Sequence, residues 1–344
     1  MTPETTVVGS YPIPQWLYGD TSRQTLRDAV AVVLHTQERL GIDVVADGEL
    51  NRFDPSHPET NGMIDYFVGQ FSGVRTQYSI TDIDMFRSDE GMSFRTAPAG
   101  VVTGAVGDGT LNLRADFELV QDLATKPLKF TCTGPHMLTK TLTDRFYGDR
   151  EELAMAVANV LRRQLERVSA DVIQLDEANI TGHPHEARWA VEAMNHVLDG
   201  ISTRKGVHLC FGNYGGQTIQ SGVWRNLVSY LNALRCDFVL LEMARRGQGE
   251  LELLRGELDP HISIGLGVID IKDNEVESAE SVASRIERAA SVMGADRIRF
   301  VNPDCGFWML SRSVADRKMA ALVAGRNLYA GAAPGDAGPA SAVR

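Results

Sequence analysis

The stretch 206–213 reads Gly-Val-His-Leu-Cys-Phe-Gly-Asn, a short apolar strand that carries two side chains of the kind that bind metal ions. Alternate residues of an extended chain point to the same side. The strand therefore directs His208 and Cys210 to one side, and the intervening apolar residues to the other. We expect the rest of the chain to be organised around this pair.

Apolar runs of this kind recur eight times along the chain. They cover residues 6–10, 44–49, 128–134, 172–177, 206–213, 238–242, 262–268 and 299–306. Helical patterns follow most of them, and the clearest cover residues 24–40, 150–168, 185–198 and 279–293. Strands that alternate with helices indicate a parallel sheet. Eight such units predict a closed (β/α)8 TIM barrel, with an open doubly wound sheet as the alternative.

Polar side chains stand at the carboxyl ends of these predicted strands. They are Ser10, Glu49, Asp176, Cys210, Glu242 and Cys305. In a (β/α)8 barrel the carboxyl ends of the strands carry the active site. The predicted fold and the predicted chemistry therefore agree.

A zinc site is the first function that these residues suggest. Glu242 and Cys305 end two later strands, and with His208 and Cys210 they make a four-ligand zinc set. Two thiolates and a carboxylate outweigh the charge of Zn²⁺, so such a zinc ion is a poor Lewis acid. It can instead hold an incoming thiol as a nucleophilic thiolate, which favours thiol alkylation over hydrolysis. A purely structural zinc is the alternative, but those sites usually use local Cys-x-x-Cys pairs.

Two acidic residues predict a second half of the site. Glu49 and Asp176 at the barrel mouth are suited to hold an ammonium group by charge-assisted hydrogen bonds. Ser10, with its hydroxyl and the adjacent backbone N–H, is suited to a carboxylate. Together they suggest an amino-acid ligand. General acid–base catalysis is another role for these carboxylates, and helix capping or a structural ion pair is a third.

The domain organisation follows from the same pattern. Residues 1–330 are predicted to form one barrel, with an excursion at about 51–126 that is longer than one barrel helix requires. We expect a helix at 62–69 and a hairpin-like piece at 92–114 within it. The excursion either covers the barrel mouth or has no catalytic role. Residues 331–344 are rich in Ala, Gly and Pro and are predicted to be disordered.

Composition restricts the partners and the compartment. The chain has 344 residues, a formal net charge of −11 and a pI near 5.2, which argues against nucleic acid or an anionic membrane as partner. It has no apolar run of roughly 20 residues and no basic-then-apolar N-terminal segment. Four cysteines do not make a disulfide framework in so long a chain, so we expect a cytoplasmic protein.

The chain resembles the catalytic C-terminal domain of cobalamin-independent methionine synthase, in a short, single-barrel form. The motifs that carry the resemblance begin at Val8, Asp47, Gln174, His208, Leu241, Gly267 and Val301, and they span nearly the whole chain. The most specific motif is Asn-Pro-Asp-Cys-Gly at 302–306. The resemblance implies a barrel of the methionine synthase and uroporphyrinogen decarboxylase type. It also implies zinc on the four ligands above and homocysteine on Ser10, Glu49 and Asp176.

Two departures from the family pattern concern the methyl donor. The family's long enzymes have a tryptophan after the third strand, where this chain reads Thr-Gly-Pro-His-Met-Leu at 133–138. The proton-donating histidine expected after the seventh strand is replaced by Lys272. Lys272, His136 and Asp176 are therefore the candidate catalytic proton handlers. The donor is predicted to be a methyl-folate or a methyl-corrinoid, either free or carried by a partner protein.

The sequence thus predicts a zinc-dependent methyltransferase that converts the thiol of homocysteine into the thioether of methionine. One alternative is alkylation of another thiol, such as epoxide opening by coenzyme M, although that thiol has no amino group for Glu49 and Asp176 to bind. Another is a catalytically silent zinc-binding barrel. A decarboxylase is disfavoured, because thiolate zinc ligands have no role in it.

Overall fold

The computed structural model describes residues 2–88, 95–213, 218–220 and 222–331. Within them the chain forms eleven strands: β1 (Glu4–Thr5), β2 (Val45–Ala46), β3 (Ser72–Arg75), β4 (Gly100–Gly107), β5 (Leu128–Thr133), β6 (Leu142–Asp144), β7 (Val172–Asp176), β8 (Arg204–Leu209), β9 (Phe238–Leu241), β10 (Ser263–Ile269) and β11 (Ile298–Pro303). The α-helices of the same residues are α1 (Arg23–Leu40), α2 (Asp65–Val68), α3 (Ile80–Arg87), α4 (Leu113–Val120), α5 (Pro135–Lys140), α6 (Arg150–Leu165), α7 (Ala187–Leu198), α8 (Val228–Ala233), α9 (Gln248–Glu257), α10 (Ala279–Met293) and α11 (Arg312–Tyr329). Short 3-10 turns cover Gln15–Tyr18, Leu50–Arg52, Gln121–Leu123, Ile180–Gly182, Pro184–Glu186, Trp224–Leu227 and Ala295–Arg297.

The main sheet is parallel and curls on itself. Its eight strands lie in the order β1-β11-β10-β9-β8-β7-β5-β2. A parallel bridge between Thr6 and Val44 links the two strands at the ends of this order. The predicted (β/α)8 barrel is therefore confirmed, and the open-sheet alternative is wrong. Seven of the eight predicted runs overlap a strand of this sheet, and the first run, at 6–10, begins directly after β1.

Burial explains why the strands are nearly continuous apolar runs. Every residue of β7 and of β9 is buried, because one face points into the barrel and the other lies under the helices. Val239 and Leu241 belong to the large core that the helices cover, whereas Phe238 and Leu240 belong to a separate small cluster. Neighbouring residues of one strand thus alternate between the outside and the inside of the barrel.

The outer helices show the expected amphipathic spacing. Helix α10 has the predicted bounds and begins where the Ser278 hydroxyl accepts a hydrogen bond from the Ser281 N–H, a common N-cap arrangement. Its buried residues, Val282, Ile286, Ala289 and Met293, recur every three or four positions. The apolar residues whose spacing predicted this helix are therefore the ones that pack against the barrel.

The excursion after β2 contributes β3 and β4 to a small second sheet, in the order β3-β4-β6, and the third strand comes from the chain after β5. The helix predicted at 62–69 is present over a shorter range, as α2 (Asp65–Val68). The hairpin predicted at 92–114 is wrong over 95–114: β4 is the strand there, and it pairs antiparallel with β3 and parallel with β6. The two partner strands of β4 are distant from it in sequence. Between them β4 buries Val101 and Val102. Residues 92–94 of that prediction lie outside the described residues.

The predicted tail at 331–344 lies, apart from Gly331, outside the described residues. None of the helices in the described part of the chain is both long and apolar enough to cross a membrane.

Candidate active site

The β8 strand carries two of the predicted metal ligands into the barrel mouth. Val207 and Leu209 pack in the outer core, so the alternating His208 and Cys210 face inward. The Cys210 Sγ lies 3.7 Å from the Sγ of Cys305, which follows β11. Ligand atoms of these three residues all lie within 4.8 Å of one another. The structure therefore brings together three of the four predicted ligands.

The histidine of this group lacks an ordinary hydrogen-bond partner. His208 is buried, and neither Nδ1 nor Nε2 of its ring has a hydrogen-bond partner among the described residues. Buried polar atoms without partners are uncommon and ask for an explanation. A ring nitrogen that faces two thiols is suited to metal coordination.

The two thiols have unequal acidity. The hydrogen bond from Cys305 holds the pKa of the Cys210 thiol well below its usual value, and the neighbouring His208 lowers it further. The same hydrogen bond, with burial, raises the pKa of Cys305 well above its usual value. One thiolate therefore forms readily beside His208, as a metal ligand requires.

Glu242, the fourth predicted ligand, directly follows β9 but is not a member of this group of ligand atoms. Its Oε1 lies 2.8 Å from the Nζ of Lys272, and the Lys272 side chain is only 2% exposed. Its Oε2 accepts the backbone N–H of Phe211 at 3.0 Å. Both oxygens of the carboxylate thus have partners within the protein.

The predicted substrate residues open onto the same cavity as the ligand group. A cavity of about 100 Å³ at the carboxyl ends of the strands is lined by residues of both sets: Ser10, Glu49, Asp176, His208, Cys210 and Cys305. The structure brings these six together, whereas Glu242, Lys272 and His136 do not line the cavity.

Glu49 is held in an unusual backbone conformation. Its φ of 59° is left-handed, and its N–H donates to Asp47 Oδ1 at 2.8 Å. Its Oε1 accepts a hydrogen bond from Thr131 Oγ1 at 2.7 Å, and its Oε2 lies 3.3 Å from an Arg52 nitrogen. Strained residues of this kind cluster at functional sites.

Two glycines allow the strands to approach closely at the site. A Cβ atom on Gly9 would lie 2.1 Å from Glu49 Oε1, and one on Gly306 would lie 2.0 Å from Ser10 Oγ. Only glycine fits at either position without displacing the predicted substrate residue. The backbone after β11 also approaches the segment that follows β1, since the Phe307 N–H donates to the Ser10 carbonyl at 2.8 Å.

A buried chain of hydrogen bonds supports Asp176 from inside the barrel. Lys129 Nζ donates to Gln174 Oε1 at 2.7 Å, and Gln174 Nε2 donates to Asp176 Oδ1, also at 2.7 Å. Burial lowers the pKa of Lys129 to about 7. Burial, with the nearby Glu49 carboxylate, raises the pKa of Asp176 to about 7. Asp176 can therefore exchange a proton near neutral pH.

His136 lies behind the cavity, between two carboxylates. Its Nδ1 is 3.4 Å from Glu177 Oε1, and its Nε2 is 2.7 Å from Glu186 Oε2. Burial opposes protonation of the ring, but the two adjacent carboxylates, Glu177 and Glu186, raise the pKa of His136 overall. Burial likewise opposes ionisation of Glu186, yet the bonds from His136 and Lys140 lower its pKa to about 2.

Several lining residues were missed by the sequence reasoning. Asn61 and Met63 reach the cavity from the excursion, Glu177 follows β7, and Trp308 follows the Cys305 motif. Glu177 directly follows Asp176, and strict alternation along a strand would place these two side chains on opposite faces. Glu177 was therefore not predicted to line the cavity with Asp176. Trp308 was detectable as an aromatic residue three positions after a predicted ligand.

The fold and this site define a (β/α)8 protein with a His-Cys-Cys group at the barrel mouth. The chain belongs to the family described as "Cobalamin-independent synthase, Catalytic domain", whose model matches residues 3–326. Its relatives include proteins named methionine synthase from Thermococcus kodakarensis and from Sulfurisphaera tokodaii, each 29% identical. The matches cover 93% and 94% of this chain and 91% of each relative.

A solved structure has the same fold. It is a B12-independent methionine synthase from Shewanella sp. W3-18-1 in complex with selenomethionine. The two structures align with a TM-score of 0.79 at 24% identity, over 96% of this chain and 98% of the other.

Proposed function

We propose that this protein transfers a methyl group to the thiol of homocysteine, forms methionine, and depends on zinc for this reaction. The observation that carries the proposal is the shared cavity. A soft metal-ligand group, His208 with Cys210 and Cys305, and an acidic pair suited to an ammonium group open onto the same space. An amino acid with a side-chain thiol fits this cavity, because its thiol suits the metal-ligand group and its ammonium group suits the acidic pair.

The residues present fit a zinc ion. Thiolate and imidazole are the ligands that zinc prefers, and the three atoms lie close enough to share one ion. Two observations agree with this assignment: the His208 ring has no hydrogen-bond partner within the described part of the chain, and the pKa of Cys210 is low. When bound, zinc supplies one chemical effect: it lowers the pKa of a thiol that joins it, so that thiolate is available at neutral pH.

The acceptor is held by the other side of the cavity. Glu49 and Asp176 take the ammonium group, and the Ser10 hydroxyl takes the carboxylate. With the thiol sulfur fixed beside the donor, its lone pair forms the new S–C bond as the bond from the methyl carbon to the donor breaks. Holding both reactants in this geometry supplies much of the rate.

Three residues are proposed to handle protons. Asp176 lines the cavity and has a pKa near neutrality. His136 reaches the cavity through Glu177, which lines it and lies 3.4 Å from the His136 ring. Lys272 contacts Glu242, and neither of these two residues lines the cavity. A methyl-folate donor requires a proton on its departing nitrogen, whereas a methyl-corrinoid does not.

Mass spectrometry of zinc-loaded protein tests the proposal, with methyl-folate and methylcobalamin as parallel donors to homocysteine. Methionine from either donor is the expected product, and it should be lost in Asp176→Asn. A third arm contains coenzyme M and a simple epoxide. Product in that arm alone would overturn the amino-acid assignment of Glu49 and Asp176. No product in any arm, with zinc bound, would support a catalytically silent barrel.

A further inference from the structure

A second cavity lies between the barrel and its outer helices. It has a volume of about 50 Å³ and is lined by residues of β10, of the loop after β9, of helix α10 and of the first turn of α9. None of the described residues that line the active-site cavity lines this second cavity. The proposed function makes no use of it.

The charged side chains of this second cavity all carry the same sign. Arg246, Arg285 and Arg288 line it, and among the described residues no aspartate or glutamate does. The chain as a whole has a formal net charge of −11, so this is a local concentration of positive charge in an acidic protein. Arg285 and Arg288 stand three positions apart on α10, where like charges repel one another. An anion between them would remove that repulsion.

Arg246 is held in place by the protein without using up its donors. One of its guanidinium nitrogens donates to the Gly222 carbonyl at 2.9 Å, and the group lies 3.8 Å above the centre of the Phe211 ring. The nearest carboxylate is Glu250, at 3.8 Å, which is longer than a hydrogen bond. A guanidinium group has several N–H donors, so others remain for a ligand.

The two arginines of α10 are in the same condition. Arg285 donates to the Val268 carbonyl at 2.6 Å, and its distance to the Glu277 carboxylate is 3.6 Å. Arg288 is exposed, and its guanidinium has no hydrogen bond or ion pair within the part of the chain that the structure describes. The protein thus orients two guanidinium groups by backbone carbonyls and leaves the third entirely available.

We propose that this second cavity binds a phosphate group. Planar guanidinium groups offer paired N–H donors that match the oxygens of phosphate, and three of them around a small polar cavity suit a tetrahedral oxyanion. Gln248, the first residue of α9, also lines the cavity, and α9 has no side-chain cap at its N-terminus. The phosphate is either a free ion or the phosphoryl group of a larger molecule. The inference does not depend on zinc or on homocysteine.

Calorimetric titration of the zinc-loaded full-length protein with inorganic phosphate tests the inference, in a low-salt buffer free of phosphate and sulfate. We expect one phosphate per chain with a dissociation constant below about 1 mM. Arg288→Gln should weaken binding about 10-fold or more, because it removes a charge-assisted hydrogen bond. The side chain of Arg288 is exposed, so the variant should fold as the wild type does.

Arg255→Gln is the matched control. It removes the same charge from an exposed arginine of α9 that does not line the second cavity, and it should bind phosphate within about twofold of the wild type. Homocysteine should not displace phosphate, because the two cavities share no lining residue. Equal weakening in both arginine variants, or displacement by homocysteine, would overturn the inference.

A parallel titration with glycerol 2-phosphate distinguishes the two sources of the phosphate group. Binding of inorganic phosphate at least as tight as that of the ester indicates a free ion, and tighter binding of the ester indicates a phosphoryl group on a larger molecule. If neither binds with a dissociation constant below about 1 mM, the inference is overturned. Methionine formation, which tests the proposed function, is a separate measurement and is unaffected by that failure.

Discussion

Replacing Gly9 by alanine should displace the Glu49 carboxylate in the proposed acceptor site. The new Cβ would stand 2.1 Å from Glu49 Oε1 and 3.2 Å from Thr131 Cγ2. Non-bonded heavy atoms rest at about 3.5 Å, so the carboxylate must move by roughly 1 Å or more. The Glu49 backbone is already in the left-handed region, at a φ of 59°, and has little freedom to absorb the shift.

The size of the effect follows from the contacts of Glu49. The move breaks the 2.7 Å hydrogen bond from Thr131 Oγ1 and takes the carboxylate away from the ligand's ammonium group. A hydrogen bond to a charged group contributes about 1.5–3 kcal/mol. A loss of about 2 kcal/mol corresponds to roughly 30-fold weaker homocysteine binding, since each 1.4 kcal/mol is a factor of ten.

Calorimetric titration of zinc-loaded Gly9→Ala with homocysteine measures this loss. Gly249→Ala is the matched control, because a Cβ there meets nothing within 4 Å and the residue lies in α9 and does not line the cavity. The control should bind as the wild type does. If Gly9→Ala retains its zinc and binds homocysteine within twofold of the wild type, the assignment of Glu49 as an ammonium ligand is refuted.

Three further perturbations test the supporting structure. Lys129→Met removes a buried hydrogen-bond donor to Gln174. Its free energy of unfolding, measured with guanidinium at pH 7, should therefore be about 1–3 kcal/mol lower than that of the wild type. An unchanged free energy of unfolding would contradict the hydrogen-bond chain. Glu186 has its pKa lowered from 4.5 to about 2, so its ionised form adds stability above pH 4.5 that disappears as the pH falls towards 2. The stability difference between wild type and Glu186→Gln should shrink from roughly 3 kcal/mol at pH 7 to near zero at pH 2, and a constant difference would argue against the His136 pairing. Cys305→Ser should lower zinc affinity at least 10-fold by chelator competition, whereas Cys236→Ser, in the core, should not; equal retention would exclude Cys305 as a ligand.

The barrel was predictable because its signals are local. Each buried parallel strand is a short apolar run, and a helix pattern follows most of them. The carboxyl-end residues were predictable for the same reason. Once eight parallel strands close, their ends meet at one mouth, and Ser10, Glu49, Asp176 and Cys305 must lie near His208.

Side-chain partnerships were not predictable, because they depend on geometry between distant segments. Lys272 and Glu242 are 30 positions apart, and nothing in either segment indicates that the ammonium group turns to the carboxylate. The placement of His136 between Glu177 and Glu186 likewise depends on how α5 packs. The β3-β4-β6 sheet was missed because β4 finds both partners outside the stretch that was predicted to be a hairpin.

The proposed function requires that this cavity join the thiol of homocysteine to a zinc ion on His208, Cys210 and Cys305. Zinc K-edge X-ray absorption of the loaded protein, before and after homocysteine is added, tests it most directly. We expect two sulfur neighbours at first, from Cys210 and Cys305, and three when homocysteine is bound. A sulfur count that stays at two with homocysteine bound, or zinc without sulfur neighbours, would contradict it.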